Sequence, residues 1–118
     1  MFRTPPLPME PVTMRVGDSV QFAESKRWWK VRAVSDRFVI LTSPYNLRNT
    51  VFYTIIDWER GVRGPDDHYG VGYETEEEIA DAMRRLNLDP YVASEEAPIE
   101  VSYRPHTIRL RIEQVRHG

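Results

Sequence analysis

The sequence predicts a mostly β (α+β) fold, either a small antiparallel SH3-like barrel or a strongly twisted sheet of five or six strands, with one helix inserted before the last strands. Three observations predict it. β-branched and aromatic residues are dense between positions 27 and 65, one capped amphipathic segment follows near position 75, and apolar and polar residues alternate again after position 99. An open α+β sheet with the helix on one face is the alternative architecture.

Three strands are predicted in the first part of the chain. The first lies within residues 14–23, after a turn at Gly17-Asp18, and shows the period of two that a half-buried strand needs. The second, over residues 28–35, is joined through a short polar turn to the third, Phe38–Ser43, which predicts a hairpin.

The second strand is expected to have two unlike faces, because successive side chains of a strand point to opposite sides of the sheet. One face is apolar, and the other carries a tryptophan beside two cations. The apolar face carries Trp29, Val31 and Ala33. The other face carries Trp28, Lys30 and Arg32.

The later strands are separated by a long irregular segment. The fourth strand, Val51–Trp58, is apolar on both parities, which predicts that a second layer or a closing barrel covers both of its faces. Residues 59–73 hold four glycines and one proline, and they are predicted to break regular structure. Two more strands are predicted over residues 99–104 and 108–113, the last of them on the surface of the sheet.

The single predicted helix spans about residues 75–87. Thr75 is the expected N-cap, and Glu78 three residues later completes a capping box. Glutamates fill the first turn and arginines stand near the end, as the helix dipole favours. An apolar stripe recurs at helical spacing through Ile79, Met83 and Leu86.

Length and composition predict one globular domain at residues 14–118, preceded by a flexible proline-rich tail at residues 1–13. The chain has 118 residues, 41% of them hydrophobic and 29% charged, as is usual for a globular domain. It has no cysteine, which excludes disulfides, thiolate metal sites and a cysteine nucleophile. We find no secretory signal and no run long enough to span a bilayer, so we expect a cytoplasmic protein without membrane contact.

The net charge of −2 is unevenly distributed along the chain. Residues 1–65 carry 10 basic and 6 acidic side chains, residues 66–100 carry 2 and 11, and residues 101–118 carry 4 and 1. Two solvated faces of opposite sign explain this pattern, and so does a basic sheet that meets an anionic partner or an acidic segment that meets a basic one.

No pattern in the sequence is typical of an enzyme, so we predict no catalytic activity, no cofactor and no bound metal. The chain has no nucleophile elbow, phosphate loop or dinucleotide fingerprint. Its three histidines, at positions 68, 106 and 117, lack the spacing of metal ligands. Asp66-Asp67-His68 is the one candidate cluster for a hard cation or a general base, and solvated loop charges are its commoner explanation.

The residues expected to contact a partner are one tryptophan and four cations. They are Trp28, Lys30, Arg32, Arg60 and Arg63. The first three share a strand face, whereas both arginines of the turn at residues 59–65 have a structural alternative, namely pairing with carboxylates of the acidic segment. Tryptophan and arginine anchor many protein interfaces, and cations beside an aromatic ring also suit a nucleic-acid strand.

The acidic segment at residues 66–100 supplies a further hypothesis. Several of its carboxylates lie on or beside the predicted helix, among them Glu76, Glu77 and Asp81. Such a run can imitate a nucleic-acid backbone and occupy a basic site on another protein, although charge runs are usually solvated faces.

Three stretches carry a resemblance to known sequences: WWKVRAVSDRFVILT at 28–42, YTIIDWERGVRGP at 53–65 and EVSYR at 100–104. They resemble a group of small uncharacterised proteins of actinobacteria and their phages, over roughly residues 15–112, with ERGVRGP as the most specific part. The resemblance implies a cytoplasmic setting in a bacterial host and an accessory role. It carries no activity, cofactor or catalytic residue to this chain.

These observations together predict a non-enzymatic, phage-type accessory protein that acts as a small interaction module and binds a host protein. A small nucleic-acid-binding β-barrel that uses the same basic and aromatic face is the alternative.

Overall fold

The computed structural model describes residues 12–44, 51–64, 75–88 and 107–118. They form one antiparallel sheet in the strand order β6-β5-β4-β3-β2-β1-β7, with one helix, α1, before the last two strands. The strands are β1 (Ser19–Phe22), β2 (Trp28–Val34), β3 (Phe38–Pro44), β4 (Val51–Asp57), β5 (Val62–Gly64), β6 (Ile108–Arg109) and β7 (Ile112–Arg116), and the helix is α1 (Glu76–Leu88). The predicted mostly β, α+β fold class is confirmed, as a sheet curled into a half-barrel.

The curl of the sheet is fixed by its last segment. β6 and β7 lie at opposite ends of the strand order, yet only Leu110 and Arg111 separate them in the chain. The amide of Leu110 donates to the carbonyl of Gly61, and the carbonyl of Arg111 accepts from the amide of Ala23, each at 2.9 Å. One short segment therefore spans both edges of the sheet, and the predicted single strand at 108–113 is wrong because the chain changes neighbours at the buried Leu110.

The hairpin of β2 and β3 is confirmed, but one predicted face of β2 is wrong. The amide of Ser35 donates to the carbonyl of Phe38 at 2.8 Å and closes the turn. The register with β3 shifts between Val31 and Ala33, which leaves Arg32 as an extra residue. Ala33 therefore packs on the side of the helix instead of sharing the face of Trp29 and Val31.

Strand β4 is covered on both faces, as its sequence predicts. Phe52 and Ile56 belong to the core on the side away from α1, and Tyr53 and Ile55 belong to the core beneath the helix. We call these two clusters the interior core and the helix-side core. The interior core contains Met14, Val20, Phe22, Trp29, Val31, Val39, Leu41, Phe52, Ile56, Trp58 and Leu110, and the helix-side core contains Phe38, Ile40, Tyr53, Ile55, Ile79, Ala82 and Leu86.

Helix α1 begins as its sequence predicts. The hydroxyl of Thr75 accepts a hydrogen bond from the amide of Glu78 at 3.1 Å and donates to the Glu78 carboxylate at 3.0 Å. Ile79 and Leu86 are fully buried, with Met83 packed at the edge of the same cluster. This stripe packs α1 onto the helix-side core.

The prediction that residues 59–73 break regular structure is wrong for Val62–Gly64, which form strand β5. The buried Asp57 carboxylate accepts hydrogen bonds from the amides of Glu59 and Arg60. The amide of Gly61, whose φ is 68°, donates to the Asp57 carbonyl. This tight reversal returns the chain along β4, so that Val62–Gly64 pair with it.

Other predictions lie outside the described residues: the proline-rich tail up to residue 11, the cluster Asp66-Asp67-His68 and the strand at 99–104. Among the described residues, no helix has the length and apolar character needed to cross a bilayer.

The buried carboxylate of Asp18 ties the end of β7 to the turn that precedes β1. It accepts hydrogen bonds from the amides of Arg15 and Gly118 and contacts Nδ1 of His117, at 2.9–3.0 Å. The Arg15 amide, followed by that of Gly118, holds the pKa of Asp18 below its ordinary value, against the opposing effect of burial.

We expect the Asp18 contacts to make stability depend on pH. A depressed pKa means that the stabilisation is present above the ordinary aspartate pKa and is lost as the pH falls through the lower value of the folded state. Asp18→Asn should therefore lower the Tm at pH 7 and flatten the acid part of the Tm profile, measured by thermal unfolding between pH 7 and pH 2. The matched control is Asp36→Asn, at an exposed turn residue. An unchanged Tm in Asp18→Asn would contradict this role.

Candidate partner-binding surface

The face of the sheet that carries helix α1 also carries a set of mostly polar side chains. Helix α1 packs against β2 and β3. The side chains farther along the same face lie on β1, β2 and β7, and we call them the Trp28 face. They are Ser19, Gln21, Trp28, Lys30, Gln114 and Arg116.

The strand register places one cation on each side of a small residue. Ser19 pairs with Lys30 of β2 on one side and with Arg116 of β7 on the other. The Cα atoms of Lys30 and Arg116 are therefore about 10 Å apart, which is two spacings between neighbouring strands. In the next row, Gln21 lies between Trp28 and Gln114.

Trp28 and Arg116 form a stacked pair across β1. The guanidinium carbon of Arg116 lies 4.1 Å from the centroid of the Trp28 ring, within the range of a cation–π interaction. Trp28 is half-buried and Arg116 is exposed. Because the ring holds the guanidinium on the strand surface, less side-chain freedom remains to be lost when a partner binds.

The two glutamines beside this pair connect β7 to β1, and β1 to the segment that leads into β2. The amide of Gln114 donates to the side-chain oxygen of Gln21 at 2.9 Å, and the amide of Gln21 donates to the backbone carbonyl of Lys26 at 2.8 Å. These bonds fix the orientation of both exposed amides. The Trp28 face is thus an ordered surface and not a set of independent side chains.

Lys30 and Arg116 differ from several other cations in lacking a carboxylate partner within the described part of the chain. Arg37 pairs with Asp57, Arg63 with Glu24, and both Arg84 and Arg85 with Asp81. The bonds from Arg84 and then Arg85 lower the pKa of Asp81, although burial opposes them. No described carboxylate forms an ion pair with Lys30 or Arg116.

Arg32, predicted to share the face of Trp28 and Lys30, is directed towards the helix. Its guanidinium donates to the hydroxyl of Thr42 at 3.2 Å and to the Glu76 carboxylate at 2.6 Å. Its side chain is 17% exposed, whereas that of Glu76 is 77% exposed. Arg32 therefore connects β2 to the first turn of α1 and borders the Trp28 face. Glu76, one of the carboxylates proposed to imitate a nucleic acid, is engaged in the same pair.

Arg60 and Arg63 of the glycine-containing turn occupy different environments. Arg60 is exposed in the turn after β4, and Arg63 is fully buried on β5. The structure thus does not bring them together, and it places the side chain of Arg63 out of reach of a surface partner.

Arg63 is instead part of the interior of the half-barrel. Its guanidinium donates to Glu24 at 2.9 Å and to the hydroxyl of Thr54 at 3.3 Å, and it lies 4.3 Å from the ring centroid of Phe22 and 5.9 Å from that of Trp29. The predicted pairing with a carboxylate is thus found, but Glu24 belongs to the connection between β1 and β2 and not to the acidic segment.

The remaining candidates add no catalytic geometry to the described residues. His117 contacts Asp18, and the described ranges contain no group of three or more residues suited to hold a metal ion. Two other basic residues lie close to Trp28 in sequence: Arg27 lies over the ring of Phe52 at 4.2 Å, and Arg37 binds Asp57 through two bonds of 3.0 Å. Neither residue belongs to the Trp28 face.

Arg116 is the cation of this surface that the sequence prediction missed. The predicted last strand ended at residue 113, whereas β7 continues to Arg116. The signal was present, because Val115 packs against the interior core while Gln114 and Arg116 alternate with it. Two further arginines lie near this strand in sequence, Arg109 on β6 and Arg111 in the link after it.

A scan against protein-family models, a search of curated proteins and a search of solved structures each found no match for this chain.

Proposed function

We propose that this protein is a non-enzymatic interaction module that binds a partner protein through the Trp28 face. The observation that carries the proposal is the Trp28–Arg116 stack, which stands beside Lys30 on three adjacent strands. Tryptophan and arginine dominate the energetics of protein interfaces, and here both are ordered before a partner arrives.

The stacked arginine favours a protein partner over a nucleic acid. A base that stacks on an aromatic platform needs a ring face, and the Arg116 guanidinium already covers one face of Trp28. The sequence pI of about 5.9 also differs from the basic pI that is typical of nucleic-acid-binding domains. The resemblance to actinobacterial and phage proteins supports an accessory role and a partner from a bacterial host.

Affinity isolation from a bacterial lysate tests the proposal. The immobilised full chain is exposed to lysate at two salt concentrations, with and without nuclease. We expect one protein to be retained after nuclease treatment and at the higher salt, because a tryptophan-centred interface is less sensitive to salt than phosphate contacts are. Retention that disappears with nuclease would contradict the proposal and favour nucleic acid.

Matched variants assign the retention to the surface. Trp28→Ala should lose the retained protein, since it removes the ring and the support of Arg116 together. Arg84→Ala is the control, because Arg84 is an exposed cation on α1 that pairs with Asp81. Equal retention by both variants would show that the Trp28 face is not the contact surface.

A further inference from the structure

The chemistry of the Trp28 face points to the kind of protein segment that it binds. Two of its six side chains are cations, and the others are a serine, two glutamines and a tryptophan. The face thus combines positive charge with hydrogen-bonding groups and contains no carboxylate among its described residues. This surface complements a polar, negatively charged segment.

Neighbouring cations of the same sheet show what such a segment would supply. Arg32, on the strand that carries Lys30, has the carboxylate of Glu76 at 2.6 Å. Arg37 and Arg63 have carboxylates of their own at 3.0 Å and 2.9 Å. Lys30 and Arg116 differ in having no ion pair with a described residue, although they lie in one row across three strands. Other described cations, such as Lys26 and Arg111, also have no ion pair with a described residue, but they do not belong to this row. A partner that brings two carboxylates to the row could pair with both of its cations.

We propose that the Trp28 face binds an acidic segment of the partner protein. Lys30 on one side of Ser19 and Arg116 on the other would each pair with one carboxylate of that segment. This inference rests on the proposed function and specifies the chemistry of the partner. The Arg116 guanidinium keeps its N–H donors while it lies over the Trp28 ring, and these donors suit a carboxylate. The ordered amides of Gln21 and Gln114 lie alongside and can bind the segment's backbone.

Direct titration of the full chain with defined polyanions tests the inference. The probes are fluorescently labelled poly-L-glutamate and an oligothymidylate of matched charge, and the readout is fluorescence anisotropy at low and at physiological salt. We expect poly-L-glutamate to bind more tightly than the oligothymidylate. The Arg116 guanidinium over Trp28 hinders base stacking, whereas Lys30 and Arg116 can still bind carboxylates.

Variants separate this surface from general attraction between opposite charges. Lys30→Ala combined with Arg116→Ala should weaken poly-L-glutamate binding by about tenfold or more, which corresponds to about 1.4 kcal/mol. Arg116→Lys should lie between, since it keeps the charge but loses the planar stack. Arg84→Ala should bind like the wild type, because the one positive charge that it removes lies on α1 and outside the Trp28 face.

The outcomes that overturn the inference are distinct from those that overturn the proposed function. Absence of poly-L-glutamate binding, binding unchanged in the double variant, or equal or tighter binding of the oligothymidylate each overturns the acidic-segment assignment. If Trp28→Ala still loses its lysate protein in that case, the interaction-module proposal stands without an acidic partner. If that retention is also unchanged, both proposals fail.

Discussion

Arg63→Ala is expected to lower the free energy of unfolding by about 2–5 kcal/mol, the range found when a large buried side chain is truncated to alanine. Arg63 is 0% exposed and lies among Glu24, Thr54, Phe22 and Trp29. The substitution would remove both the hydrogen bonds and the packing on the two rings, and it would leave a cavity in the interior core. Urea unfolding followed by far-UV circular dichroism measures the change as a shift of the midpoint at constant m value.

Arg60→Ala is the matched control for this prediction, because the two arginines belong to one turn and only Arg63 is buried. A substitution at the exposed Arg60 should change stability by about 0.5 kcal/mol or less. Arg63→Met, which keeps most of the volume, should cost less than the alanine variant, since Glu24 is 31% exposed and can be hydrated. Equal effects at positions 60 and 63 would contradict the buried role of Arg63.

Trp29→Ala is expected to cost about 3–5 kcal/mol, as removal of a fully buried aromatic side chain usually does. Trp29 is 0% exposed and meets Phe22 edge-on, with ring centroids 6.4 Å apart. Its Nε1 is buried and has no hydrogen-bond partner within the part of the chain that the structure describes. Trp29→Phe should therefore cost only about 1–2 kcal/mol, because it keeps an aromatic contact and deletes an unsatisfied donor.

The adjacent tryptophan is the control for this second prediction. Trp28→Ala should cost about 1 kcal/mol or less, since the ring is half-buried and its loss removes one exposed cation–π pair. Chemical denaturation of all three variants under one set of conditions gives the comparison. A larger loss at Trp28 than at Trp29 would contradict the assignment of the two rings to the surface and to the core.

The sequence predicted the elements whose patterns are local. Strands β1 to β4 and the hairpin between β2 and β3 follow from alternation and turn residues, and α1 follows from its cap and apolar stripe. These signals depend on neighbours within a few residues, so the fold class could be derived from them. The covered faces of β4 could also be predicted, because both of its parities are apolar.

Features that depend on contacts between distant parts of the chain could not be predicted. The bulge at Arg32 arises from the register with β3, and it moves Ala33 to the helix-side core. Strand β5 forms because Asp57 holds the turn before it, although the strand has only three residues and its last one, Gly64, has little strand propensity. The burial of Arg63 follows from β5, so its position inside the half-barrel could not be seen from the turn sequence.

The candidate surface was predicted in part. Trp28 and Lys30 follow from the alternation of β2, and the structure places them on the expected face. The alternation of β7 extends to Arg116, but its place beside Trp28 depends on the pairing of β7 with β1, and the sequence separation between them gives no register. Arg32 shares the strand but pairs with Glu76, a contact across 44 residues of sequence.

The most direct test of the account compares the two adjacent tryptophans in the affinity isolation. Trp28→Ala and Trp29→Phe are both expected to remain folded, and each removes one indole from β2, on opposite faces of the strand. We expect Trp29→Phe to retain the same bacterial protein as the wild type and Trp28→Ala to lose it. Retention by Trp28→Ala at the wild-type level would rule out the Trp28 face as the surface that binds the partner.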